Sequence, residues 1–290
     1  MTDPILQTVV DRLRGLGAGA ATVERVTVGD RVVLVELSGV PASATDETRS
    51  DADDAAVHRT AGLAHRPPGE VPPTTDLDVG TLLGWAASAG DGDTTTPVER
   101  ALGVATLNAL SVPHVDWTEG DPMALLDPEV DTIATVGLFR PAFRKFDDVE
   151  LRIVERRAVD EFAVPDGVRV ETFRPDEAAT ALAGSDVVFV TGSAFLYGGA
   201  ERYLDVAPAS ATVVLVGATV SFLPAPLFAA GVDVVAGAAV TDVDRARAAV
   251  REGACGTDLH DVGVRKVYVV DERSSAPGLR LRTSRANDGE

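Results

Sequence analysis

Two apolar, β-branched runs stand close together in ATVVLVGATVSFLPAPLFAAGVDVVAGAAV, residues 211–240, joined through a loop and a short helical connection. A run without polar alternation has no face to offer to water, so each reads as a strand buried on both sides. DVVFVTG ends in the same way at Gly192, and TIATVG at Gly137. Runs of this kind separated by helical segments specify a parallel sheet with crossover helices, which makes the C-terminal half a Rossmann-like α/β layer. Parallel strands put their carboxyl ends on one edge. The loops GLFRPAF, GSAFLYGG, ATVSFLP and GAAVTD should meet there, where open α/β sheets bind ligands.

The units around these runs are regular. VELRIVE and VRVETF extend the sheet, a helix starts near Pro175 and ends at Gly184, another covers Ala200 to Leu204, and a third runs from Asp242 to Arg251 and is closed by Gly253. VRKVYVV is the last strand, and the chain has no internal repeat. The first half reads differently. Thr2 or Asp3 with Pro4 starts an amphipathic helix ending near Gly15, with Ile5, Leu6, Val9, Val10, Leu13 and Leu16 at helical spacing. ATVERVTV and RVVLVEL flank Gly29-Asp30, a link that closes a tight hairpin. Residues 41–57 are small, polar and acidic and read as a solvated loop. LDVGTLLGWAASAG and PVERALGVATLNAL carry helical spacing, the second opened by Pro97 after capping threonines. The proline- and acid-rich stretch 113–128 is the expected linker, with a boundary near residue 125 between domains 1–125 and 126–290.

Composition sets the expected environment. The chain has 290 residues, 45% of them apolar, and a formal charge of −19 from 45 acidic against 26 basic residues. Only Lys145 and Lys266 are lysines. Short-stemmed carboxylates with almost no lysine suit a salt-adapted, halophilic surface, where the Debye length falls to roughly 3 Å at 1 M. A high-GC genome would also replace lysine by arginine. On either account bulk charge disfavours nucleic acid and anionic membranes as partners. A single cysteine, Cys255, excludes an intrachain disulfide and CxxC motifs. The start, MTDPILQTVVDRL, lacks a signal-peptide pattern, and no run reaches the roughly 18 apolar residues of a membrane span, so a cytoplasmic location is expected.

Four segments carry a family resemblance: ATLNAL at 105–110, TVGLFRP at 135–141, VVFVTGSAFL at 187–196 and VGATVSFLPAPLFAAGVDVVAGAAVTD at 216–242. In order and over most of the chain they resemble the "putative heavy-metal chelation" proteins, formerly a domain of unknown function. The resemblance implies a smaller α+β enolase N-terminal-like domain preceding a mostly parallel Rossmann-like one. LYGG at 196–199 stands where that family often has Asn-Gly-Thr, and GAT at 217–219 where it often has Gly-Pro-Ser. The resemblance also implies that Asn108 faces the other domain and that a heavy-metal ion or metal chelate is the ligand.

Several candidate site residues follow from the strand-end geometry. Thr191, Ser193, Thr219 and Ser221 are placed at or just past adjacent strand ends, with Gly137, Phe139 and Arg140 on the first loop. Hydroxyls, free backbone N–H groups and one guanidinium suit an anionic group, although the same residue types also cap helices and turns. Asp242 is either a ligand carboxylate or the cap of the following helix. Glu155 ends the second Rossmann strand, where a dinucleotide fold carries its ribose-binding acid, but GLFRPAF lacks the GxGxxG glycines, and Phe139 and Pro141 take their space. None of His58, His65, His114 and His260 stands in a metal motif; His114 and Asp116, near the linker, are weak metal candidates beside Asp242.

No nucleophile elbow, Walker loop or triad order appears. The leading expectation is a two-domain protein that binds a small anionic compound or metal chelate between its domains. The alternatives are a nucleotide- or SAM-type cofactor-dependent enzyme using Glu155, and a non-catalytic regulatory protein.

Overall fold

The computed structural model describes residues 4–41, 59–88 and 95–281. The expected cap at Thr2 or Asp3, His58 and nearly all of the acidic loop 41–57 lie outside the described residues. Helix α1 (Pro4–Gly15) buries Ile5, Leu6, Val9, Val10 and Leu13 on one face, as their spacing requires, whereas Leu16, expected to continue that face, lies past the helix end and is exposed. Strands β1 (Thr22–Val28) and β2 (Val32–Ser38) form the hairpin around Gly29-Asp30, and β3 (Thr60–His65) pairs antiparallel with β2 to complete a three-stranded sheet. Helices α2 (Val79–Ala87) and α3 (Pro97–Ser111) follow, α3 opened by Thr96 and Glu99 in a reciprocal capping box.

Small residues set how these elements pack. A Cβ at Gly62 of β3 would lie 2.1 Å from Ala105 O and 2.4 Å from Ala109 N of α3. One at Gly103 would lie 2.4 Å from Ala86 N of α2. Helix α3 is thus wedged at backbone contact distance between β3 and α2, and is buried from Val98 to Ser111 except at Glu99.

The second sheet has eight strands: β4 (Thr118–Glu119), β5 (Thr132–Val136), β6 (Glu150–Val154), β7 (Arg169–Phe173), β8 (Val187–Thr191), β9 (Thr212–Val216), β10 (Val234–Val240) and β11 (Val264–Val270). Their order is β4-β11-β10-β9-β8-β5-β6-β7, and the six strands from β10 to β7 are parallel. Numbered along the chain, that parallel set runs 3-2-1-4-5-6 from β7 to β10, the Rossmann order, with its switch point between β5 and β8. Every apolar run expected to be a strand is one. β11 joins antiparallel, and β4, inside the stretch expected to be linker, pairs antiparallel with β11. The helical connections are α4 (Arg140–Phe143), α5 (Ala178–Leu182), α6 (Ala200–Val206), α7 (Ala225–Ala229), α8 (Val243–Arg251) and α9 (Thr257–His260). The fold is therefore α/β: a mostly parallel Rossmann-like sheet preceded by a smaller antiparallel α+β unit.

The two faces of the large sheet are covered differently. One carries a core drawn from its own strands, α4 and loops, including Phe143, Phe146, Ile153, Phe189 and Tyr268. The other shares one continuous core with α1, α2 and α3. The opposite face of the small sheet packs on α8, α9 and β11 through a separate core of Val32, Leu34, Ala61, Leu63, Ala246, Ala249, Val250, Leu259 and Val264, and a polar link crosses that second junction. Glu36 of β2, 1% exposed, takes a bidentate pair from Arg247 of α8 at 2.7 and 2.6 Å, which holds the Arg247 guanidinium well above its usual pKa.

Candidate ligand-binding cavity

A cavity of about 750 Å³ opens over the carboxyl ends of β5, β6, β8, β9 and β10. The strands contribute Val136, Val154, Thr191, Val216 and Gly237 to its floor. Gly137 leaves β5 with φ +101°, and a Cβ there would also lie 2.9 Å from Thr191 Cγ2, so only glycine lets the first loop turn away beside β8. Leu138, Phe139, Pro141 and Ala142 of that loop form an apolar side.

The small sheet supplies one wall through Leu63, Ala64 and His65, with Arg31 and Val32 beside them. It is fixed to the large sheet by hydrogen bonds. His65 N donates to Thr219 Oγ1 at 3.1 Å; Asn108 Nδ2 donates to Leu63 O at 2.6 Å and to Ala218 O at 2.9 Å; Leu223 N donates to Ser111 Oγ at 3.0 Å. Asn108 Oδ1 is buried and has no hydrogen-bond partner among the described residues. On this wall His65 Nε2 meets Tyr197 Oη at 3.2 Å, and the Arg156 guanidinium lies 3.7 Å from the centre of the Tyr197 ring. Burial lowers the His65 pKa, and the nearby Arg156 and Arg31 charges lower it further, so the imidazole is neutral near pH 7.

A second wall comes from residues 120–123 and from Lys145. Asp121 Oδ2 accepts from Lys145 Nζ at 2.6 Å and Lys266 Nζ at 2.8 Å, while its Oδ1 accepts from Met123 N at 3.2 Å. Burial raises the Asp121 carboxyl pKa, but the two ammonium groups outweigh this and hold it below the usual range. His260 lines the same side, its pKa lowered by burial and by Lys266 against the opposing charges of Asp121 and Asp261, and its Nδ1 is buried without a partner among the described residues. Among the described residues five basic side chains line the cavity, Arg31, Lys145, Arg156, Arg202 and Lys266, against two acidic ones, Asp121 and Glu155.

The strand-end residues divide. Gly137, Phe139, Thr191, Ser193, Thr219 and Glu155 line the cavity. Ser221 is buried beside it, accepting from Ala238 N and donating to Ala218 O. Asn108 stands behind the wall as the bridge just described. Arg140 is exposed and lies over the Phe162 ring at 5.3 Å, outside the lining. Asp242 caps α8 by accepting from Arg245 N at 3.0 Å and is also outside it. His114 and the exposed Asp116 do not reach the cavity.

Sequence reasoning did not single out Arg31, His65, Arg156, Tyr197 or the Asp121 cluster. They come from separate elements and are joined only by the tertiary fold. One signal was available: the two lysines of a chain that otherwise uses arginine both line this cavity.

The donor set does not suit a metal held by protein alone. Among the described residues no three His, Cys, Asp or Glu side chains come together to hold an ion, and Asp121 is already engaged by two cations.

A family model described as "Putative heavy-metal chelation", DUF364, matches residues 121–269. A DUF364-family protein of unknown function from Pyrococcus horikoshii has a similar crystal structure, with a TM-score of 0.70, 20% identity, 92% of this chain and 100% of that one covered. A second DUF364-family protein of unknown function, from Desulfitobacterium hafniense, is similar with a TM-score of 0.65, 16% identity, and 92% and 99% covered. No curated protein matches the chain.

Proposed function

The chain belongs to the family described as "Putative heavy-metal chelation", and from that premise we propose that it binds a small anionic compound, able to carry a heavy-metal ion as a chelate, in the strand-end cavity between its two sheets. The observation that carries this reading is the charge of the cavity. Among the described residues five basic against two acidic side chains line it, in a chain whose formal charge is −19. Surrounded by an acidic exterior, such a lining favours anions locally. Apolar residues between the charged groups, among them Phe139, Met123 and Val267, suit an organic ligand better than a bare ion. The absence of a converging donor set among the described residues supports a division of labour: the organic ligand holds the metal, and the protein holds the ligand.

A thermal-shift screen at fixed ionic strength tests the reading, with metal salts, anionic chelators, metal-loaded chelators, nucleotides, SAM and simple organic acids as its arms. A ligand at 100 times its dissociation constant stabilises by about 2.7 kcal/mol. The expected result is stabilisation by anionic chelators or chelates and none by the metal salt alone. Stabilisation by metal salts alone, or by no anion, overturns it.

The Rossmann strand order, with Glu155 lining the cavity beyond β6, favours a nucleotide- or SAM-type cofactor as the second reading. Against it, the first loop leads only to the four-residue α4, and Phe139 and Pro141 line the space a pyrophosphate would need. Selective stabilisation by a nucleotide or SAM, abolished by Glu155→Ala, would establish that second reading in place of the first.

A further inference from the structure

We propose that Lys145 and Lys266 form the subsite that holds the ligand's oxyanion, a carboxylate or phosphate group, and that Asp121 occupies this subsite as the chain's own stand-in until ligand arrives. The inference deepens the anion-binding reading of the cavity and rests on it.

Its basis is the chemistry at one carboxylate oxygen. Lys145 and Lys266 arrive from the loop after α4 and from β11, and both meet Asp121 Oδ2, at 2.6 and 2.8 Å. Among the described residues these are the only ion pairs of either lysine. Two ammonium groups against one carboxylate leave an excess positive charge. Each ammonium has three N–H donors, and Asp121 engages one from each. Pro122, Met123, Leu259, Val264 and Val267 line the same cavity and offer apolar surface to an organic ligand.

His260 adds a separate observation. It lines the cavity close enough to feel the Lys266 and Asp121 charges, and its buried Nδ1 has no partner among the described residues. An arriving ligand therefore meets uncommitted ammonium donors and an excess cation in one place. Residue choice agrees. The chain has only two lysines, and both converge on one oxygen as compact point charges.

Asp121 is built to stay nearby when displaced. Its Oδ1 caps the 3-10 turn Pro122–Ala124 through Met123 N, so the segment keeps its local hydrogen bond while Oδ2 gives way. In this arrangement Asp121 competes with the ligand, and removing a carboxylate from the cavity increases affinity for anions by freeing both ammonium groups.

The two-lysine composition makes the test direct. Protein labelled with ¹³C-lysine gives two side-chain Cε signals, assigned by Lys145→Met and Lys266→Met. Malonate and inorganic phosphate are titrated separately at ionic strength held constant with KCl, which distinguishes the carboxylate from the phosphate source. Saturable movement of both lysine signals is expected, with binding about tenfold tighter in Asp121→Asn and about tenfold weaker in each lysine variant, the scale of one charge-assisted hydrogen bond. Asparagine at 121 keeps an oxygen for Met123 N. If a lysine variant fails to fold, the labelled wild type and Asp121→Asn decide. Anion binding with unmoved lysine signals, or with affinity unchanged or weakened in Asp121→Asn, overturns this proposal while leaving the cavity an anion site. Failure of every anion and chelate to bind any of these proteins overturns both.

Discussion

The two walls of the cavity are held by different forces. The wall from the small sheet stands on backbone contact: Gly62 lies against Ala105 and Ala109 of α3, and Asn108 of that helix reaches both Leu63 O and Ala218 O. The wall from residues 120–123 stands on ions, with the Lys145 and Lys266 side chains 39% and 36% exposed around Asp121. Close packing has one good distance and a steep cost on either side of it. Partly exposed ion pairs exchange partners at little cost. The comparison assigns the first wall to positioning and the second to response, so damage to each should read out differently.

The largest effect is expected from Gly62→Ala. The new methyl meets backbone atoms at 2.1 and 2.4 Å, and the helix would have to lift off the strand to admit it. Overpacking typically costs 1–3 kcal/mol and more when backbone must move, so a loss above about 3 kcal/mol is expected in chemical denaturation. A variant as stable as the wild type would show that α3 is not rigidly seated. Next is Asn108→Ala, which removes hydrogen bonds to two carbonyls from a side chain 1% exposed. A cost of about 1–3 kcal/mol is expected. An equivalent loss of ligand affinity should accompany it if the wall positions His65, and affinity unchanged at that cost would reduce Asn108 to a structural strut.

The contrast also explains what could be read from the chain. The strand-end edge was legible because Gly-terminated apolar runs announce parallel strands, and Gly137, Phe139, Glu155, Thr191, Ser193 and Thr219 line the cavity from that edge. β3 was not legible. TAGLAH is short and rich in small residues, and its strand state comes from pairing with β2 and from the helix its glycine admits. β4 was hidden in a proline-rich stretch because two residues paired to β11 leave no pattern. Arg140 and Asp242 were placed correctly along the chain, but a stacking partner, Phe162, and a helix cap claim their side chains. Adjacency to an edge is a sequence property; direction is a packing property. The domain division near residue 125 remains a proposal, and the core shared by α1, α3 and one face of the large sheet suggests that a fragment beginning there would unfold less cooperatively than the whole chain.

A smaller effect is expected from pH, and it belongs to the first wall. His65 faces Tyr197 Oη, Arg156 and Arg31, and its folded pKa lies below that of the unfolded chain. The unfolded state then binds the proton first as pH falls, so stability drops below about pH 6.5 and levels off once pH passes the folded value. His260 and His114 are lowered in the same direction, both with burial as the leading cause, so the wild-type slope is their sum with His65. His65→Gln should flatten part of the fall in unfolding midpoint between pH 7 and pH 5. An unchanged slope would move the sensitivity to the other two.

The smallest effect separates the walls by salt. Across the whole chain, 45 acidic against 26 basic residues leave an excess of carboxylates that repel one another, and molar KCl cuts the screening length to roughly 3 Å, so a salt-adapted surface should show a rising unfolding midpoint. The second wall should respond in the opposite sense. Its Lys145–Asp121–Lys266 bridges reach solvent, and salt weakens them, while the first wall depends on packing that salt does not screen. Hydrogen exchange followed from low salt to molar KCl should therefore show faster exchange at Met123 and Ala124, whose amides bond to Asp121. Slower or unchanged exchange is expected along β3, which pairs with β2 beneath α3. The local change should be small, because exposed ion pairs contribute about 0–1 kcal/mol. Its sign is the test. Parallel responses in both segments would mean that one force holds both walls, and the division between a positioning wall and a responding wall would fail.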